Sequence, residues 1–402
     1  MSMSRAVSSS PRSATRRRGT ANTRAIAAFV ASALVLGAAL VVVPAAVDGG
    51  SALDPAFGPS QGLWIDRPTV RSLPMSGEAW DDLARDANLG WGDANIADQD
   101  SRHDVYTFAG ALYAVRRNDV AMRDRVVAAI EGAIGTEDGG RTLALARNLT
   151  GYVLAADLIG YRSTTFSNWL SSVRHEVLPN GSTPYTLITT HERRPNNWGT
   201  HAGAARIAVA RYLDDRADLA AAVQVFRGYL GDRSAYADFR FGDPEWQADP
   251  ANPVPINPAG ATKAGFLVDG AIVDDVRRCE CPVTYPPPKE KYQWEAMQGI
   301  VTQATLLDAA GYDDVWQWSD AAIRRAVLYL DVHADYPADG NNNFVTYLID
   351  RGLGMHTSVG VDARSGQSIG YTDWTHPVQH QLTRIGPATV SARAERVNVE
   401  RR

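Results

Sequence analysis

The sequence predicts an all-α protein. Helix pairs of about 12–20 residues, joined by short turns, would form an (α/α) toroid or incomplete barrel with one long lid-like loop. Three observations predict this. Ala, Leu and Val recur at three- and four-residue intervals through nine segments. Strand-like alternation is scarce. The 402 residues are 45% apolar, and a closed ring of helix pairs would organise that much core as one unit.

The chain begins with Arg5, Arg12, Arg16, Arg17, Arg18 and Arg24, followed by an uncharged run at 25–47 that ends in small residues near Ala45 and Ala46. A basic stretch before an apolar one reads as a signal peptide. The run is also long enough to span a bilayer, so residues 1–47 are either that signal or an N-terminal membrane anchor. Both readings place the rest outside the cytoplasm, secreted or attached to the outer face of the membrane. Residues 48–76, rich in Gly, Pro and Ser, read as a linker, 77–376 as the toroid catalytic domain and 377–402 as a tail.

Helices are expected at 77–89, 103–117, 119–134, 141–160, 164–178, 200–213, 216–231, 290–310 and 317–332. Ser76 would cap the first, while Gly160 and Gly311 would stop the fourth and eighth. Short strands are expected at 185–190 and 344–349. Residues 231–266 hold five Pro, which no helix tolerates; they and 335–343 read as walls over a cleft.

The net charge is −5, and the first 46 residues hold six Arg and no acid, so the remainder carries −5 − 6 = −11. That balance argues against a nucleic-acid partner. An acidic substrate would need a local basic cluster. Cys279 and Cys281 are one residue apart, where a disulfide between them is strained. They read as an exposed or weakly strained pair without catalytic work.

The chain is organised around 191–201, HERRPNNWGTH, which runs into AGAARIAVARYL. Pro195 makes Arg194 extended. Asn197 or Thr200 can cap the helix that follows. His201 would fall in its first turn, where the helix dipole opposes protonation and leaves a neutral imidazole fit for a general base. Arg194 and Asn197 could grip a carboxylate. His191 and Trp198 are further candidates for substrate contact.

A second constellation is 286–295, PPPKEKYQWE. Its prolines present Lys289 and Tyr292 at a helix start, with Trp294 and Glu295 behind. Glu295, Gln298, Thr302 and Thr305 form a polar stripe that either faces solvent or lines a cavity. Gln99, Asp100, His103 and Asp104 crowd another helix start. Arg147 and Asn148 interrupt an apolar helix, Arg277 and Arg278 add basic charge, and 371–376 is a polar-aromatic cluster without a clear role. Nucleotide-binding glycine patterns and HExxH are absent from the sequence. No metal or cofactor is expected.

NNWGTHAGAARIAVARYL, PPPKEKYQWEAMQGIVTQATLL and GYTDWTH together resemble the alginate lyase superfamily, over roughly residues 60–376. The resemblance implies a secreted polysaccharide lyase on an α/α toroid that cleaves a uronic-acid polymer by β-elimination. It assigns Asn197 and Arg194 to the carboxylate, His201 to proton abstraction and Tyr292 to the acid role. Asn148, Trp198, His191, Gln99, His103, Lys289, Trp294 and Glu295 would contact substrate. In the best-known members Asn and His are adjacent; here Trp-Gly-Thr separates Asn197 from His201. Alginate and glucuronan-type polymers both remain open.

Two other readings stand beside it. One is a glycoside hydrolase on the same toroid, using Glu295 with Asp100 or Asp157. The other is a non-catalytic polysaccharide-binding protein with Trp198, Trp246 and Trp294 as stacking platforms.

Overall fold

The computed structural model describes residues 57–179, 184–363 and 366–378. The expected signal or anchor at 1–47 and nearly all of the tail at 377–402 lie outside the described residues. Among the described residues no helix is long and apolar enough to cross a membrane.

The fold is mostly helical with very little strand. Part of the expected linker belongs to the packed body. Phe57, Leu63, Trp64 and Val70 are buried in the main core. Residues 67–72 form α1 (Arg67–Ser72), opened by Asp66, whose side chain accepts from the Thr69 amide. Then come α2 (Glu78–Asn88), α3 (His103–Arg117) and α4 (Val120–Ala133). The residue before α2 is Gly77 at φ 94°, with no side-chain cap, so Ser76 does not play the capping part. Every residue of α5 (Thr142–Ile159) is buried, and the helix stops at Gly160, where φ is 66°.

Next are α6 (Thr164–Val173), α7 (Leu187–Arg193), α8 (Asn197–Tyr212), α9 (Arg216–Tyr229), α10 (Val273–Val276) and α11 (Tyr292–Asp308). The chain continues through α12 (Trp318–Leu328), a π turn at Tyr329–His333, α13 (Phe344–Leu353) and α14 (Thr372–Thr375).

Both expected strands are corrected. Residues 185–190 enter α7, because Thr186 and Thr189 form a reciprocal capping box that starts a helix there. Only Tyr185 keeps a bridge, to Leu178. Residues 344–349 open α13, which buries Phe344, Val345, Leu348 and Ile349 on one helical face. Their aromatic and branched side chains favour strand locally, and packing overrides that preference. The only ladder among the described residues pairs β1 (Thr262–Lys263) with β2 (Phe266–Leu267).

The helices pack in a regular order. α5 lies between α3 and α8, and α8 lies between α5 and α11. α4 packs outside α3, α7 and α9 against α8, and α13 against α11. A Cβ on Gly299 would run into the backbone of Thr200, so α8 and α11 cross in backbone contact. The stripe on α11 faces inward: Gln298, Thr302 and Thr305 are buried.

The cluster at 371–376 has a structural role. Tyr371 donates to Asp86 (3.0 Å), and Trp374 donates to the Pro74 carbonyl (2.8 Å), tying this segment back to α2. The long loop at 231–266 is pinned. Trp246 is fully buried and donates to the Cys281 carbonyl at 3.1 Å, while the Asn257 side chain binds the Trp246 carbonyl and the Ala248 amide. Cys279 and Cys281 are joined by a disulfide beside it.

Candidate functional site

Three helices, α5, α8 and α11, meet at one carboxylate. Glu295 Oε2 accepts from Arg147 on α5 (2.9 Å) and from the Asn197 amide on α8 (2.9 Å). Arg278, just after α10, donates to Asn197 Oδ1 at 3.2 Å and lies 4.1 Å from the centre of the Tyr292 ring. Lys291 approaches the same ring at 5.2 Å. Arg147 is buried inside an otherwise apolar helix. Burial pulls its guanidinium down, and the negative charges of Glu295 and Asp100 oppose that.

Consecutive acids of α10 hold the cap and the first residue of α8. Asp274 accepts from the Asn196 side chain (2.8 Å), and Asp275 accepts from the Asn197 backbone amide (3.3 Å). Asp274 also pairs with Arg277 at 2.6 Å, and Asp275 with Arg278 at 3.9 Å. Burial pushes the Asp275 carboxyl well above the usual range, with Arg278 opposing and Asp274 adding to the rise. Its Oδ2 has no partner among the described residues.

The cap of α8 is Asn196, which accepts from the Trp198 amide at 3.1 Å, and not Asn197 or Thr200. The helix therefore starts earlier than expected, and His201 sits past its first turn. Its imidazole is neutral for another reason than the dipole. Burial drives its pKa well below the ordinary value, Arg147 adds to this, and a hydrogen bond with the Glu295 backbone opposes it. Nε2 has no partner. His201, Asn197, Glu295 and Tyr292 thus all lie around Arg147.

Other expected site residues fall elsewhere. Arg194 is extended as expected, but its guanidinium lies between Tyr185 (5.0 Å) and Trp198 (5.3 Å), with no contact to Glu295. His191 is buried where α7, α8 and α11 pack, so close to Gly203 that an added Cβ would stand 2.7 Å from its Nε2. Trp294 is buried and donates to the Tyr336 carbonyl at 2.8 Å. Neither Trp294 nor Trp246 can serve as a stacking platform; Trp198 is half-buried and can. Lys289 is exposed, paired with Asp335 at 3.5 Å.

Asn148 is buried and donates to the carbonyls of Ile96 (3.0 Å) and Asp98 (2.8 Å), which holds the loop carrying Gln99 and Asp100. His103 is buried at the start of α3, 2.8 Å from the Tyr152 hydroxyl, and burial lowers its pKa. Asp157 binds Ser60, the Gln61 and Leu63 amides and Arg162, ten residues along α5 from Arg147. That is about 15 Å of helix, so Asp157 cannot partner Glu295. Arg147, Asp275 and Arg278 belong to the site, yet the sequence marks them only by charge at odd places. One is a lone Arg in an apolar helix; the others lie in the run DDVRR. Among the described residues no cluster of three or more His, Cys, Asp or Glu is disposed to hold a metal ion.

No family model matches the chain, and no curated protein or solved structure does. The functional reading therefore rests on the residues and their geometry.

Proposed function

We propose that the chain is a polysaccharide lyase that cleaves a uronic-acid polymer by β-elimination, on an α/α toroid of which α3, α5, α8 and α11 are inner helices. One observation carries this reading. Guanidinium groups, an amide, a neutral imidazole and a phenol converge on a single carboxylate-binding point, formed by Arg147, Arg278, Asn197, His201 and Tyr292 around Glu295.

Elimination from a uronate requires that the proton beside the carboxylate be lost. The charge then spreads onto that carboxylate as an enolate. Fixed donors that meet this charge supply most of the stabilisation. Arg278 and the Asn197 amide face the carboxylate, with Arg147 behind them. His201 Nε2 accepts the proton, and the Tyr292 hydroxyl protonates the departing glycosidic oxygen. The polymer is alginate- or glucuronan-like, and the chain works outside the cytoplasm, free or anchored through its N-terminal segment.

Digestion of alginate and glucuronan tests this. An unsaturated sugar end, absorbing in the near ultraviolet, is the expected product. Reducing ends without that absorbance would sink the elimination.

A second reading, glycoside hydrolysis, is favoured by one pair. Burial raises the Asp275 carboxyl, Glu295 is ion-paired with Arg147, and the two acids lie close enough for Glu295 to add to that rise. A buried carboxyl that resists losing its proton, beside an ion-paired carboxylate, suits an acid and a base. The same digestion decides between the two.

A further inference from the structure

On the face of α8 next to Asn197, two cations share one aromatic ring. Arg141, at the start of α5, stands 5.9 Å from the centre of the Trp198 ring, and Arg194 stands 5.3 Å from it. Arg194 also covers Tyr185 at 5.0 Å. Trp198 is half-buried and Arg141 exposed, so the cluster meets solvent. Arg194 Nε is buried without a partner, and among the described residues neither guanidinium forms an ion pair.

Two positive charges around one indole repel each other. Each cation–π contact returns only about 0.5–1 kcal/mol at an exposed site. Elsewhere this protein neutralises its buried arginines with carboxylates, as at Arg174 and Arg206. Leaving this pair without a counter-ion, in a chain whose exported part carries −11, keeps two planar donor forks ready for an anion.

We propose that Arg141, Trp198 and Arg194 form a flanking anion subsite. It takes the carboxylate or sulfate group of the sugar unit next to the one held at Asn197 and Arg278. Trp198 covers the apolar face of that unit, and the two guanidinium groups grip its charge. This moves Arg194 from the reacting carboxylate to its neighbour. It rests on the reading of the ligand as an anionic polysaccharide and is independent of how the bond is cut.

Titration calorimetry of the full chain tests it, with tetraglucuronate, glucuronate and neutral cellotetraose as probes. Arg141→Ala and Arg194→Gln should each weaken tetraglucuronate binding about tenfold, near 1.4 kcal/mol. Their affinity for glucuronate should change less than about twofold, because the monosaccharide needs one site only. Arg141 makes no side-chain hydrogen bond among the described residues, so its variant should melt as the wild type does. Unchanged tetraglucuronate affinity in Arg141→Ala would overturn the subsite. So would cellotetraose binding as tightly as tetraglucuronate, or no tetraglucuronate binding by the wild type. A sulfated tetrasaccharide run in parallel separates carboxylate from sulfate as the preferred group. Loss of affinity without any unsaturated product would sink the elimination and leave the subsite standing; unsaturated product with unchanged variant affinity would do the reverse.

Discussion

Glu295 on α11 and Asn197 on α8 meet at 2.9 Å, on the carboxylate oxygen that also accepts from Arg147. One side chain thereby joins three helices that are far apart in sequence.

Removing Glu295 should therefore cost stability as well as function. Arg147 is only 4% exposed at its side chain, and in Glu295→Ala it becomes a buried cation without its partner. A loss on the order of 3 kcal/mol in urea unfolding is expected, with Glu295→Gln clearly milder because it keeps an acceptor. Equal stability of the two variants would show that the ion pair does not hold the helices together.

His201→Gln and Tyr292→Phe should each slow uronan cleavage by roughly 100-fold or more while thermal melting stays near that of the wild type. His201 is neutral because burial and Arg147 disfavour its charge. The acid limb of kcat/KM should accordingly fall below the ordinary histidine pKa, and Arg147→Gln, which removes the positive charge, should leave that limb less depressed. A limb at or above the ordinary value would remove His201 as the base.

The packing of α8 on α11 gives a third expectation. Gly299→Ala places a Cβ against the backbone of Thr200, where no side chain can yield. Overpacking of this kind costs about 1–3 kcal/mol or more. Gly132→Ala is the control, since a Cβ there meets nothing within 4 Å. Comparable melting temperatures for the two variants would contradict the close crossing.

Stability should also depend on His376. Burial first, and Arg351 second, lower its pKa to about 3, against 6.5 for the free side chain. The unfolded chain thus binds this proton more readily than the folded one. The contribution is fully present above pH 6.5 and is lost as pH falls toward 3, at up to about 1.4 kcal/mol per pH unit. Unfolding measured from pH 7 to pH 4 should show a weaker acid decline in His376→Gln than in the wild type. Parallel declines would assign the effect to other groups.

Much of the helical order was legible in the linear pattern. The runs at 103–117, 216–231 and 290–310 became helices because their apolar spacing matches the faces they bury. Pro195 made Arg194 extended, since the ring restricts the residue before it. The stretches at 185–190 and 344–349 misled for the opposite reason. There, local side-chain preference pointed to strand, while a capping box and a buried face elsewhere in the molecule imposed helix.

By itself, the sequence determined the helical class, the polar character of the stretch around Asn197 and the acidic balance of the residues after 46. These depend on spacing and composition, which are local. Only tertiary structure decided that Arg147, Arg278 and Glu295 meet at Asn197, that His191 and Trp294 serve packing, and that Arg194 turns toward Trp198. Burial and ion pairing arise between helices distant along the chain, and no periodicity within one helix encodes its neighbour's charges.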